Sequence, residues 1–294
     1  MRARSLTRAE PAGEQRLHKI IAQAGLASRR QAEKMVLEGR VLVDGKVVKE
    51  PGATADPSRN DIRLDGMRVR PDRPRRYIVL NKPTGCVTTR SDPGRRPTVM
   101  ELLPVSLRRL FPVGRLDMST SGLLLLTDDG EFALRVSHPR YRVSKTYRLS
   151  VKGHPDQKAL ARARKGIRVE GQLLRLEAIF RFRQGFGETR VRLPASAVGR
   201  RPGRARGRKS SFAAGARSWL RVVLREGKNR EIRRLFEALG HPVLELHRER
   251  VGPVSDRGLA PGAYRHLTRR EVERLIAGPA RVTPLRRKRG KKGP

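Results

Sequence analysis

Phe111-Pro112-Val113-Gly114-Arg115-Leu116-Asp117-Met118-Ser119-Thr120-Ser121-Gly122 runs directly into Leu123-Leu124-Leu125-Leu126 and stops at Thr127-Asp128-Asp129-Gly130. A polar loop with one carboxylate, Asp117, thus precedes a short apolar run that reads as a buried strand, ended by a Gly-containing turn. A rigid strand can hold such a loop residue with the precision catalysis needs. An aspartate there can equally be a turn former that bonds its own backbone, so the stretch alone leaves both roles open.

Short strand-like segments lie on either side of it: Tyr77 to Leu80, Lys145 to Val151 and Leu220 to Leu224. Tyr147, Leu149 and Val151 alternate and therefore share one strand face. Ile232, Leu235, Phe236 and Leu239 recur at helical spacing, a stripe that belongs mostly to a core. Strands interleaved with a few helices predict an α+β domain with a mixed, mainly antiparallel sheet over residues 77–278.

Ahead of it, residues 15–66 form a separate block. Leu17, Ile20, Ile21 and Ala24 mark an amphipathic helix closed by Gly25. Ser28 with Gln31 has the pattern of a capping box opening a second helix, which ends at Gly39. Val41-Leu42-Val43, Asp44-Gly45 and Val47-Val48 read as a tight hairpin, because Asp-Gly supplies the positive φ angles of the turn. Residues 67–76, with five arginines, read as a linker.

The chain holds 68 Lys and Arg against 28 Asp and Glu, a formal charge of +40, with 37% hydrophobic and 4% aromatic residues. A compact fold with that charge repels itself unless a polyanion neutralises it, and nucleic acid is the commonest such partner. Arg16, Lys19, Ser28, Arg29, Arg30, Lys34 and Arg40 decorate the first block and suit phosphate contacts; the alternative is a solvated helix face. Residues 199–217 and 281–294 each carry seven basic residues and no acidic one, and read as a disordered inserted loop and a disordered tail beginning near residue 279. No stretch approaches the ~20 apolar residues of a membrane-spanning helix. Residues 1–14 lack an apolar export core, so the expected compartment is the cytoplasm. The single cysteine, Cys86, excludes an intramolecular disulfide or a Cys-based zinc cluster and reads as a packed small residue.

Arg16-Leu17, Ala24-Gly25, Ser28-Arg29-Arg30 and Gly39-Arg40-Val41 followed by Val43-Asp44-Gly45 resemble the S4 RNA-binding module. Gly114-Arg115-Leu116-Asp117, with Thr120, Gly122 and the leucine run, resembles the catalytic motif of pseudouridine synthases, in the branch that modifies ribosomal RNA and carries an S4 module. Three further segments agree in order: Tyr77 to Gly85 with Asn81-Lys82-Pro83, His138-Pro139 with Lys145-Thr146-Tyr147, and Leu224 to Phe236 with Ile232-Arg233. Ser121 stands where the family usually has an acidic residue. The resemblance spans about residues 15–275.

What the resemblance implies is an isomerase for uridine in ribosomal RNA. Asp117 is its catalytic carboxylate, Arg233 the basic partner of Asp117, and Tyr147 an aromatic that stacks on the base or moves a proton. Arg115, Leu246, Lys145, Asn81 and Lys82 become substrate-binding candidates. Long basic additions look more like the large-subunit type B branch, acting on 23S RNA or a pre-50S particle, than the small-subunit branch acting on 16S RNA. The reaction imports no group, so no metal or cofactor is expected, nor a membrane, and the family implies a monomer. Two rivals remain at this point: a noncatalytic RNA-binding or ribosome-associated protein, and a glycosidase-like hydrolase, which needs a second placed carboxylate for which Asp128 and Asp129 are the poor candidates.

Overall fold

The computed structural model describes residues 13–70, 74–181 and 217–278. The small N-terminal unit opens with β1 (Gln15–Arg16), followed by α1 (Leu17–Gln23), α2 (Arg29–Leu37), β2 (Val41–Val43), β3 (Lys46–Val48), β4 (Thr54–Ala55), β5 (Ile62–Leu64) and β6 (Met67–Arg68). Leu17, Ile20, Ile21, Ala32 and Val36 close its core, each at most 3% exposed. The Ser28–Gln31 capping box forms in both directions. Asp44 and Gly45 adopt φ of 50° and 77°, the two positive values the hairpin needs. The linker expected over 67–76 starts later than the sequence suggested. Met67 and Arg68 pair with Leu64 and Arg63 in a four-stranded sheet ordered β3-β2-β5-β6, and Val69 is buried in the unit's core. An apolar position at 69, three beyond the Asp65-Gly66 turn and alternating with Met67, is what carries the unit past residue 66.

The larger unit contains β7 (Tyr77–Lys82), β8 (Phe111–Pro112), β9 (Ser121–Thr127), α3 (Gly130–Ser137), β10 (Lys145–Lys152), α4 (Gln157–Lys165), β11 (Ile167–Val169), β12 (Gln172–Leu174), β13 (Ala178–Arg181), β14 (Arg217–Leu224), α5 (Glu231–Ala238), β15 (Val243–Val251), β16 (Val254–Ser255), β17 (Tyr264–His266) and α6 (Arg269–Ala277). Its main sheet runs β13-β14-β10-β15-β9-β7-β17, with β8 on β9 and β16 on β15. Neighbours are antiparallel except β15 and β9, which meet in parallel at His247–Ser121 and Arg248–Gly122. This is the mixed, mainly antiparallel sheet expected of the α+β class.

The leucine run sits at the centre of that sheet and is buried on both faces. Leu124 and Leu126 join Ile78, Leu80 and the α5 residues Ile232, Leu235 and Phe236 on one side. Leu123 and Leu125 join Val79, Phe132 and Val136 of α3 and Leu275 of α6 on the other. Cys86 is fully buried in the first of these cores, where burial raises its thiol. The Arg75 guanidinium donates to Gln23 O at 2.9 Å, tying the segment between the units to the end of α1. The basic loop proposed over 199–217 lies outside the described residues as far as 216, while Arg217 opens β14; the basic tail, from 279, also lies outside them. No helix among the described residues is long and apolar enough to cross a membrane.

Candidate active site

Asp117 lies in the loop between β8 and β9, and that loop is held by its backbone. Five consecutive carbonyls, from Leu116 to Thr120, each accept a hydrogen bond. Thr88 Oγ1 donates to Leu116 O at 2.7 Å. Lys82 Nζ donates to Asp117 O at 3.1 Å and Thr120 O at 2.9 Å, and Gly85 N to Met118 O at 2.9 Å. Arg233 Nη2 donates to Ser119 O at 3.2 Å. Five consecutive engaged carbonyls around Asp117 hold this part of the loop in place, so the carboxylate it carries is pre-positioned.

Lys82 is central to this. It is fully buried at the end of β7, and its ammonium makes three hydrogen bonds, the third to Pro83 O at 3.0 Å. An ammonium has three donors and no more. The structure therefore corrects the expectation that Lys82 binds substrate: it fastens the Asp117 loop to β7. Asn81 is likewise away from the cavity. Its Nδ2 donates to Leu259 O at 2.8 Å, joining β7 to the segment ahead of β17.

The loop opens onto a cavity of about 290 Å³ lined by Arg115, Asp117, Lys145, Tyr147, Arg233 and Leu246, together with Lys228, Arg230, Glu231 and Arg248. This is near the lower end of small-molecule pockets, ~300 Å³; one nucleobase fits and a duplex does not. Tyr147 and Leu246, each 8% exposed, give the wall its apolar surface. They come from neighbouring strands: Tyr147 lies opposite Arg248, and Leu149 opposite Leu246.

The cation nearest the carboxylate differs from expectation. Arg230 Nη1 stands 3.7 Å from Asp117 Oδ2. Arg233 instead holds two carbonyls, Ser119 O and Val243 O, both at 3.2 Å, and acts on Asp117 through space. Arg230 caps α5 with φ of 46°, a turn that aims its side chain at the loop, while Arg233 lies one helical turn on, over the loop backbone. Glu231 and Arg248, 4% and 3% exposed, were also missed. A buried charge within a motif otherwise legible as helix or strand leaves no periodicity signal; what could have flagged them is a charged residue adjoining a core position, Glu231 before Ile232 and Arg248 two after Leu246.

Ser121, the departure from the family pattern, has a defined place. Its hydroxyl lies 2.9 Å from His247 Nδ1, and His247 Nε2 lies 2.5 Å from Asp256 Oδ2. The negative charge at this junction comes from Asp256 in place of residue 121. One residue on, Gly122 has φ of 107°, and a Cβ there would lie 2.4 Å from Arg248 O. Only glycine allows β9 and β15 to approach beneath the site. Asp128 and Asp129 do not line the cavity: Asp128 accepts from Arg76 N and Asp129 caps α3. The second carboxylate required of a glycosidase-like site is therefore not supplied by them.

In the small unit, Arg16, Arg29, Arg30 and Lys34 are exposed and Lys19 is half-buried. Two expected contacts are engaged internally. Ser28 caps α2, and Arg40 forks onto Asp65 at 2.9 and 2.6 Å. Arg40 thus closes the hairpin against the β5–β6 turn, a neutralised position less suited to phosphate.

A held carboxylate facing a base-sized cavity with an apolar wall, beside a basic RNA-binding fold, defines the class: an enzyme that acts on a single nucleotide of RNA. The chain belongs to the RNA pseudouridylate synthase family, whose model matches residues 76–238, and an S4 domain model matches residues 15–60. It is 40% identical to ribosomal large subunit pseudouridine synthase B of Bacillus subtilis (strain 168), over 90% of this chain and 96% of that protein. It is 38% identical to an uncharacterized RNA pseudouridine synthase of Aquifex aeolicus (strain VF5), over 90% and 94%. A crystal structure of a pseudouridylate synthase superposes with a TM-score of 0.57 at 27% identity, covering 89% of this chain and 99% of that one. The protein is accordingly a pseudouridine synthase acting on RNA, and the isomerase expectation holds.

Proposed function

We propose that the chain converts a uridine of 23S ribosomal RNA to pseudouridine in the cytoplasm, working as a monomer with Asp117 as the attacking carboxylate. The observation that carries this is the Asp117 loop: its backbone is fixed by hydrogen bonds at five consecutive carbonyls and its side chain faces a cavity of nucleobase size. The Bacillus subtilis relative's name supports the large subunit as the source of the RNA.

The reaction follows from the groups present. A stacked uridine hides its glycosidic bond, so the nucleotide must leave the stack, and an apolar or aromatic wall supports the displaced base. Tyr147 and Leu246 form that wall. As the bond from N1 to the sugar breaks, positive character develops on the sugar carbon, and Asp117 stabilises it directly or as a covalent adduct. The base departs with the electron pair as an anion. Arg230, half exposed, and Arg248, buried, supply positive charge along the cavity, and limited water contact strengthens the effect of Arg248. The base turns, C5 bonds to the sugar carbon, and a proton moves from C5 to N1. Arg115, exposed at the mouth, and the basic residues of the small unit hold the flanking backbone.

The assignment is tested with purified protein and separate 23S and 16S transcripts, as free RNA and as immature subunits, with pseudouridine mapped after incubation. Modification of one position in 23S RNA or its particle is expected. Modification confined to 16S RNA would move the assignment to the small subunit, and modification of neither would remove it.

A further inference from the structure

Lys145 opens β10 two residues before Tyr147, and both line the cavity that holds Asp117. It contrasts with Lys82. Among the described residues the hydrogen bond from Lys145 Nζ is a single long one, 3.5 Å to Val143 O, so the amine retains donor capacity or, when neutral, a lone pair. Its strand neighbours at that register are Leu224 and Val251, both apolar. The charged groups acting on it are Arg248 from β15 and Glu231 from α5; Asp117, Arg115, Lys228, Arg230 and Arg233 line the same cavity. Burial first, then Arg248, pulls the amine down to about 8, with Glu231 opposing. A lysine in that range exchanges protons near neutral pH, where an ordinary one does not.

We propose that Lys145 is the proton carrier of the second half of the reaction, taking the proton from C5 and delivering it to N1. The inference rests on the pseudouridine synthase reading of the site. After C5 bonds to the sugar carbon, C5 is tetrahedral and still carries its hydrogen, and N1 is doubly bonded to C6. The neutral amine of Lys145 removes that hydrogen as a proton. The C5–H electron pair forms the C5–C6 double bond, and the C6–N1 π pair moves onto N1. N1 then takes the proton from the Lys145 ammonium, which regenerates the amine. One proton moves within the base, nothing is oxidised or reduced, and no other reactant enters. Tyr147 is left as the stacking surface.

The test uses the purified full chain and its Lys145→Met, Lys145→Arg and Tyr147→Phe variants in single-turnover reactions. The substrates are one RNA carrying uridine, 5-deuterouridine or 5-fluorouridine at the target. With fluorine at C5 there is no proton to remove, so rearrangement as far as the new carbon–carbon bond does not need the carrier. Lys145→Met is expected to slow uridine turnover ~100-fold or more, the ordinary scale of acid–base catalysis, while RNA binding and 5-fluorouridine rearrangement keep their native rates. It should also show a primary deuterium effect that the native chain lacks. Lys145→Arg keeps the charge but cannot lose its proton, and is expected to fail in the same way. The Tyr147→Phe variant should show no new deuterium effect. Retained 5-fluorouridine rearrangement doubles as the check that the variants fold.

Three results overturn the proposal. An arginine cannot act as the base, so restoration of uridine turnover by Lys145→Arg assigns a purely electrostatic role. Equal slowing of uridine and 5-fluorouridine places Lys145 before carbon–carbon bond formation. A deuterium effect appearing in Tyr147→Phe and absent from Lys145→Met gives the proton to the phenol. A native chain inert on all three RNAs overturns the synthase reading itself, a result distinguishable from the others because no variant is then needed to see it.

Discussion

Replacing Lys82 by methionine tests how the Asp117 loop is held. The side chain keeps its length and packing but loses three hydrogen bonds: Thr120 O loses its ammonium donor, Asp117 O is left with the Thr120 amide at 3.0 Å, and Pro83 O with the weak Cys86 thiol contact. A hydrogen bond to a charged group is worth ~1.5–3 kcal/mol, so the gross loss of three is roughly 4–9 kcal/mol. Against it stands relief from burying an ammonium, itself several kcal/mol, which leaves a net destabilisation of about 3 kcal/mol. The activity loss should exceed what unfolding explains, because two of the three carbonyls belong to the loop that carries Asp117, the proposed attacking group, and a displacement of ~1 Å at a reacting group costs ~100-fold. The assay pairs urea denaturation with single-turnover pseudouridine formation at a temperature where the variant is fully folded. A Lys82→Met chain that loses less than ~0.5 kcal/mol, the scale of a surface substitution, and turns over at the native rate would refute the argument.

Three further outcomes follow from particular contacts. Gly122→Ala puts a Cβ 2.4 Å from Arg248 O at a φ of 107°, so the β9–β15 pair must separate; thermal melting should show a loss of more than ~3 kcal/mol, the scale of severe core disruption, and a native melt would contradict the close approach. Arg30→Ala removes an exposed cation and should reduce the slope of log affinity against log salt by about 0.7 to 0.9, whereas Arg40→Ala, which frees Asp65, should lower the small unit's stability and leave the slope nearly unchanged; equal slope changes would return Arg40 to the RNA surface. Burial raises the Glu231 carboxyl above its ordinary value of 4.5. The folded chain therefore binds this proton more tightly than the unfolded one, and its stabilising contribution, complete below about 4.5, is lost as pH rises through the folded value. Glu231→Gln should flatten that decline in denaturation midpoints measured from pH 4 upward, and parallel curves for both chains would count against it.

Much of the fold was legible because its signals are local. The capping box at Ser28, the Asp44-Gly45 hairpin and the stripe on α5 are each set within a few residues, and each formed as read. The leucine run was legible as a buried strand, though not as the strand on which β15 lies in parallel, since that contact depends on Gly122 and a partner 126 positions away. The end of the small unit was misjudged because two-residue β6 has no period to detect. In the site, the resemblance located the loop, the strand and the helix that meet at the cavity. It did not distinguish residues that face the cavity from those that hold its wall. Lys82 and Asn81 adjoin one another on a strand leading to the site, yet both point their polar groups into carbonyls. Arg230 and Arg233 lie on one short motif, and the αL turn at Arg230 decides which stands nearer the carboxylate. Sequence order carries neither fact, because both depend on where side chains point after the units pack.

The role proposed for Asp117 is to perform the isomerisation. It is tested most directly by mapping pseudouridine across the ribosomal RNA of cells lacking this protein, complemented with either the native chain or Asp117→Asn, which keeps the size of the side chain and removes its charge. One 23S position is expected to lose pseudouridine in the deletion and to regain it with the native chain alone. Restoration of that position by Asp117→Asn would contradict the catalytic assignment, and persistence of every pseudouridine in the deletion strain would contradict the proposed substrate.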